Sequence, residues 1–291
     1  MIKLLALDLD GTVLDSRGRV PAENLRAIKA AEDQGVLVTI ATGRRFRDAL
    51  HVALQLDLNA PLITHNGALI KYADSLETIA VSLIATDVAC EVVKVGKRFD
   101  GDALVSADPV GKGTLYYDRI THDNVPLQRY IVWAETMHGK EAHDAVHHVD
   151  SLEEILHDHK VIHISFSGTC SSMIEMENVL KAELSSEVTF LPTIYPKMDF
   201  TLLDILPFPA SKGHGVEQLA KLNNITANEV MVIGDNFNDL EMLLYAGTPV
   251  VMGNAEQDLF EQGNFHRTLE NDANGVAKAI ERFILHPAEA R

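Results

Sequence analysis

A chain of 291 residues that is 46% hydrophobic and 23% charged can bury a large core and exceeds the usual size of one domain, so one large and one smaller domain are expected. Its formal net charge of −17 argues against a nucleic-acid ligand, whose phosphate backbone calls for clustered Lys and Arg. No apolar stretch approaches the roughly 20 residues of a membrane span, no signal-peptide succession opens the chain, and two cysteines, Cys90 and Cys170, make neither a disulfide framework nor a zinc site. The expected location is the cytoplasm, with both thiols buried.

In chain order, the apolar run Ile2 to Leu7 reads as a buried strand that ends in Asp-Leu-Asp-Gly-Thr, residues 8–12. Pro21 opens an amphipathic helix with Leu25, Ile28 and Ala31 at helical spacing, and Gly35 stops it. Val36 to Ile40 is a β-branched run ending in Ala-Thr-Gly-Arg, Phe46 to Leu56 reads as helix, and Leu62 to Thr64 as strand. The same alternation returns late in the chain. Helix Lys212 to Leu222, strand Val230 to Ile233, helix Asp239 to Tyr245, strand Val250 to Met252 and helix Val276 to Ile284 follow one another. Alternating strands and helices predict an α/β fold with a doubly wound, Rossmann-like parallel sheet built from residues 1–83 and 194–291. Residues 84–193 read differently. Strand-like pieces Ala103 to Ser106, Thr114 to Tyr117, Val161 to Ser167 and Val188 to Leu191 suggest an inserted α+β domain that would cover the active edge of the sheet and set substrate specificity.

The chemistry collects where strands of that sheet end, which is where open α/β sheets place ligands. Asp8 and Asp10 cannot share a face if the strand continues, so the chain must bend there, and Gly11 permits it. Paired carboxylates beside an apolar strand call for a cation or a proton between them. Asp8 is placed to attack phosphorus as a nucleophile, and Asp10 to act as acid and then base. Thr42 and Gly43 offer a hydroxyl and a backbone N–H to phosphoryl oxygens. Lys212 opens a helix, where an ammonium and the helix dipole both favour a phosphate; taken singly it reads equally as a surface lysine. Asp235 and Asp239 of Gly-Asp-Asn-Phe-Asn-Asp, residues 234–239, arrive at the same edge. Asp239 could also be a plain helix cap. Hard carboxylate oxygens favour Mg²⁺.

These four motifs, in this order, resemble the signatures of the haloacid dehalogenase superfamily of phosphatases, and the insertion resembles the larger α/β (type IIB) cap of its Cof-type branch. Asn66-Gly67-Ala68 and Met252-Gly253-Asn254-Ala255 also match recurrent segments of that branch. The chain departs from the usual wording at Pro249 and at Gly215-Val216. The resemblance implies that Asp8 is nucleophile and Mg²⁺ ligand, that Asp10 is acid/base and binds the metal through its carbonyl, and that Asp235 completes the protein ligands. Leu9, Thr42, Gly43, Asn66, Lys212 and Asn238 would hold the phosphoryl group, with Thr42 and Lys212 assisting catalysis. Asp239 and Thr12 would support the site from behind.

Thirteen histidines crowd toward the insertion; they read as solvated residues rather than a zinc site. Tyr116, Tyr117, Trp133 and Phe166 read as its core. The expected activity is Mg²⁺-dependent hydrolysis of a small phosphate monoester, such as a sugar phosphate, through an aspartyl-phosphate. A phosphotransferase or hexose-phosphate mutase of the same fold is the alternative, and a non-catalytic phosphometabolite sensor a third. The expected partner is a small phosphorylated metabolite, with no nucleic acid and no membrane; the sequence leaves a homodimer open.

Overall fold

The computed structural model describes residues 1–184 and 186–287. The chain divides into two compact units. One takes Met1–Arg44, Ala49–Ile79 and the segment from Ser211 onward; the other takes Arg45–Asp48 and Ala80–Ala210.

In chain order the elements are β1 (Leu4–Leu7), α1 (Ala22–Asp33), β2 (Leu37–Ile40), α2 (Phe46–Leu56), β3 (Leu62–Thr64), β4 (Leu69–Lys71) and β5 (Thr78–Val81). Then come α3 (Thr86–Arg98), β6 (Asp102–Ala107), β7 (Thr114–Tyr117), α4 (Val125–His138), α5 (Ala142–Ala145), β8 (Val146–His148), α6 (Leu152–Asp158), β9 (Val161–Gly168), α7 (Cys170–Leu184), β10 (Val188–Tyr195) and β11 (Phe200–Pro207). The chain closes with α8 (Lys212–Leu222), β12 (Val230–Gly234), α9 (Leu240–Tyr245), β13 (Thr248–Val251), α10 (Gln257–Phe260), β14 (His266–Arg267) and α11 (Gly275–Ile280).

The first unit is built on a five-stranded, wholly parallel sheet in the order β14-β13-β12-β1-β2. Every residue of β1 is buried, as parallel strands covered on both faces require. Leu7 lies level with Ile233 on one side and Ile40 on the other. The chain therefore leaves β1, β2 and β12 at one level of the sheet, and the residues after each strand meet. A bridge from Ala41 to Ile63 brings β3 to the same edge. Pro21 precedes α1 in extended conformation, as its fixed φ predicts.

The second unit carries a six-stranded sheet in the order β10-β11-β9-β6-β7-β8. All its pairings are antiparallel except β7–β8. Sequence reading assigned no strand to Phe200–Pro207; that segment is β11, which pairs with both β10 and β9. Residues of α3, α6 and α7 pack on one face around Phe166 and Ile164, and α4 packs on the other around Leu104 and Leu115. A buried Asp102 carboxylate binds the 121–124 segment, accepting from Thr121 N, Thr121 Oγ1 and Asn124 Nδ2, each at 2.9 Å. Asp48 accepts from Arg45, Tyr130 and His138, and although burial opposes its charge, these donors hold its carboxyl below the usual range.

Two expectations change here. Phe166 is core at 0% exposure, but Trp133 is 37% exposed, because it projects from the outer side of α4 and stacks on Tyr130. Both cysteines are only half-buried. Among the described residues no helix is long and apolar enough to cross a membrane.

Gly96 of α3 faces Phe166 so closely that a Cβ there would lie 2.1 Å from Cε1 of the ring. Gly96→Ala should therefore lower stability by about 1–3 kcal/mol through overpacking, read as a reduced denaturant midpoint at unchanged slope.

Candidate active site

Asp8 follows β1 in extended conformation, and its N–H still bonds Ile233 O at 2.9 Å. The chain then turns sharply through Leu9–Val13, with Gly11 at φ +79°. Glycine is needed there twice over. It takes the left-handed backbone, and a Cβ would fall 2.2 Å from Asp235 Oδ2. Leu9 is buried and its carbonyl accepts from Leu14 N at 3.0 Å.

Lys212, the first residue of α8, is 2% exposed and lies between two carboxylates. Its Nζ donates to Asp8 Oδ1 at 2.6 Å and to Asp239 Oδ1 at 2.7 Å. Asp239 spends its other oxygen on backbone N–H groups, accepting from Asp235 at 2.9 Å and Asn236 at 3.1 Å. Asp239 does not cap α9 with its side chain, as the plain cap reading required; it is the third residue of a capping box whose N-cap is Asn236, and it also bonds Lys212. Gly234 makes room for it, since a Cβ there would meet Asp239 Oδ2 at 2.5 Å.

Ligand-type oxygens of Asp8, Asp235 and Asp239 lie within 4.8 Å of one another. One ammonium thus faces three carboxylates, and the electrostatics show the shortfall. Burial raises the Asp8 carboxyl well above its usual range; Lys212 pulls it down, while Asp239 and Asp235 push it further up. Burial and then Asp239 push Asp235 up to about 6. Burial works against the Lys212 charge, but Asp239 and Asp8 outweigh it and keep the ammonium protonated. The cluster could hold a divalent cation, which would supply the missing positive charge, and its all-oxygen donor set is of the kind that suits Mg²⁺. Asp239 has both oxygens engaged by donors of the protein.

Thr12 Oγ1 donates to Asp235 Oδ1 at 3.3 Å. Thr42 is buried; its N–H goes to Ile63 O at 2.9 Å, and its hydroxyl accepts from Arg44 N at 3.1 Å. Gly43 packs on the Asn66 carboxamide, where a Cβ would lie 3.0 Å from Asn66 Oδ1. That oxygen and Asn238 Oδ1 are buried with no hydrogen-bond partner among the described residues, the condition expected of groups awaiting a ligand or water.

Two residues received no role from sequence. Arg44 forks onto Asp10, Nε to Oδ2 at 2.8 Å and Nη2 to Oδ1 at 2.6 Å; the motif Ala-Thr-Gly-Arg held the signal in its last residue. Asn254 donates to both Gly11 O and Asp235 Oδ2. Among the described residues the acidic cluster is formed by Asp8, Asp235 and Asp239 without histidine; His163, read from the sequence as solvated, is instead buried and paired with Asp204, and Tyr116 lies between His147 and His159.

A buried carboxylate at a strand tip, an ammonium fixed on it and a three-carboxylate cluster thus meet at one edge of a doubly wound sheet. The model of the haloacid dehalogenase-like hydrolase family matches residues 5–280, and the chain belongs to that family, as one of its phosphatases. It is 31% identical over 304 residues to the 5-amino-6-(5-phospho-D-ribitylamino)uracil phosphatase YwtE of Bacillus subtilis, covering 97% of this chain and 98% of that one. The HMP-PP phosphatase of Serratia proteamaculans is 27% identical over 261 residues, covering 88% and 85%. Among solved structures, a haloacid dehalogenase-like hydrolase from Bacteroides thetaiotaomicron superposes with TM-score 0.79 at 23% identity, covering 98% and 100%. A subclass IIB sugar phosphatase of the superfamily gives 0.73 at 22%, covering 97% and 98%. The last two likenesses speak to the fold.

Two outcomes test this electrostatic account. Lys212→Ala leaves Asp8 and Asp239 buried without their counter-charge, so metal-free stability should fall by about 3–5 kcal/mol in denaturant titration. Asp235 titrates at about 6 when folded and near about 3.9 when unfolded, so the folded state holds its proton more tightly. Metal-free stability should therefore fall as pH rises through that interval. Thermal melts should accordingly show Mg²⁺ stabilising the protein more at about pH 7.5 than at about pH 5, since metal binding requires the ionised carboxylate.

Proposed function

We propose that the chain is a Mg²⁺-dependent phosphomonoesterase that works through an aspartyl-phosphate on Asp8. The observation that carries this reading is Asp8 itself: buried at the tip of β1, fixed by Lys212 at 2.6 Å and flanked by Asp235. Asp8 and Asp235, with the Asp10 carbonyl, would hold the metal, which when bound offsets the charge of the carboxylates and of the phosphoryl group.

An Asp8 carboxylate oxygen attacks phosphorus and the bond to the ester oxygen breaks. Asp10, released from Arg44 and protonated from solvent before the attack, delivers that proton to the leaving oxygen. Asp10, now a carboxylate, takes a proton from water as the water attacks the aspartyl-phosphate; inorganic phosphate leaves and Asp8 is restored. Lys212 keeps Asp8 aligned and spreads positive charge over the transferring group. The backbone at Leu9 and Gly43, the Thr42 hydroxyl and the carboxamides of Asn66 and Asn238 border the phosphoryl group, each carboxamide able to turn its NH₂ toward it. Thr12 and Asp239 hold Asp235 and Lys212 in place. The substrate class is a small phosphorylated metabolite, supported by the names of the relatives, with specificity assigned to the inserted unit.

The test is phosphate release from a panel of sugar phosphates, a ribitylaminouracil phosphate, pyridoxal phosphate and an aryl phosphate, with Mg²⁺ and then with EDTA. Release should require the metal. Asp8→Asn should reduce it by roughly 10³-fold or more while the fold persists; full turnover by that variant would remove Asp8 from its role.

A further inference from the structure

We propose that Asn254 is a positioning residue, one that sets the Asp235 carboxylate and the loop carrying Asp10 in a fixed relation to each other. The proposal rests on the magnesium reading above and extends it to a residue outside the ligand set.

Asn254 lies just beyond β13 and its side chain makes three hydrogen bonds. Nδ2 donates to Gly11 O at 2.9 Å and to Asp235 Oδ2 at 3.2 Å, while Oδ1 accepts from Asn271 N at 3.0 Å. A carboxamide alone among short side chains offers two donors and an acceptor on one planar group. Asp235 is thereby gripped from both sides, by Thr12 on Oδ1 and by Asn254 on Oδ2. The other Asn254 donor reaches the carbonyl of the left-handed Gly11, the residue that follows Asp10.

The support is itself anchored. Gly253 N bonds Leu269 O at 3.0 Å, and a Cβ at Gly253 would lie 2.9 Å from Glu270 N, so the 252–254 turn is packed tightly on the 268–271 segment. That segment also reaches the catalytic loop directly: Asn271 Nδ2 donates to Leu14 O at 2.9 Å, and Asp272 Oδ1 accepts from Ser16 N at 2.8 Å. The late chain thus fastens residues 11–16 at three points, of which Asn254 is the one that also touches the acidic cluster. Groups that hydrogen-bond a metal ligand fix its orientation, and losing one commonly weakens metal binding about 10–100-fold.

The experiment is Mn²⁺ and Mg²⁺ titration of the metal-free protein, by electron paramagnetic resonance and calorimetry, for wild type, Asn254→Ala, Asn254→Ser and Asn271→Ala. Metal-free melting temperatures are measured alongside. Asn254→Ala should bind either ion about ten-fold more weakly at a melting temperature close to wild type. Asn254→Ser, which keeps one donor, should fall between the two, and Asn271→Ala should shift in the same direction by less. In turnover, the Asn254→Ala defect should be largely rescued by saturating Mg²⁺, with the KM for substrate unchanged, which a general loosening of the fold would not produce. Wild-type affinity in Asn254→Ala and Asn254→Ser would overturn the assignment and leave the magnesium reading standing. Absence of binding by the wild type would overturn the magnesium reading and this proposal with it. Should Asn254→Ala not fold, the serine variant decides by the same affinity criterion.

Discussion

The ammonium of Lys212 sits out of water between Asp8 and Asp239, and the rest of the site is arranged around that placement. A buried lysine is tolerated only when its charge is met on more than one side, so α8 must deliver its first residue deep into the edge of the sheet. The small residues around Lys212 make this possible. A Cβ on Gly213 would fall 2.6 Å from Glu241 Cβ, and one on Gly215 would fall 2.5 Å from Ile63 Cγ2. Gly67, at φ +93°, would drive a Cβ into Ser211 O. Helix α8 is therefore wedged between α9 and the loop after β3, with Ser211 capping it through His214 N and contacting Glu241. Gly215, which departs from the family's usual wording, serves that close approach.

The same ammonium explains why the site has an appetite for a cation. Lys212 satisfies one oxygen of Asp8 and one of Asp239, and backbone N–H groups satisfy the rest of Asp239. Asp235 is met by the neutral donors of Thr12 and Asn254. Burial without matching charge is what raises both carboxyl pKa values. The geometry thus divides one acidic cluster: Asp239 is engaged by donors of the protein, and on the proposed reading Asp8 and Asp235 would face metal and substrate.

Much of this was legible in the chain. Strands β1, β2, β3 and β12 and helices α2 and α8 lie within a residue or two of where periodicity put them, because parallel strands buried on both faces leave unbroken apolar runs. The inserted unit was harder to read. Its strands follow no single pattern, from the fully buried β6 to the partly exposed β10, and β11 went unassigned because six of the eight residues of Phe200–Pro207 are buried and so lack the alternation that marks a one-sided strand. The short β8 was missed as well, since three residues, two of them histidine, carry no period to detect.

By itself the sequence determined which chemical groups the site holds, since each motif is a local event: a strand ends, a glycine turns the chain, and a carboxylate or ammonium is presented within a few residues. Tertiary structure alone decided how those groups divide their work. Arg44 grips Asp10 across 34 positions, Lys212 reaches Asp8 across 204, and Asn254 reaches Gly11 across 243. Such pairings are selected by the level at which β1, β2, β12 and β13 end in one sheet, and by which backbones can approach without a Cβ between them. Neither condition is written in any one segment of the chain.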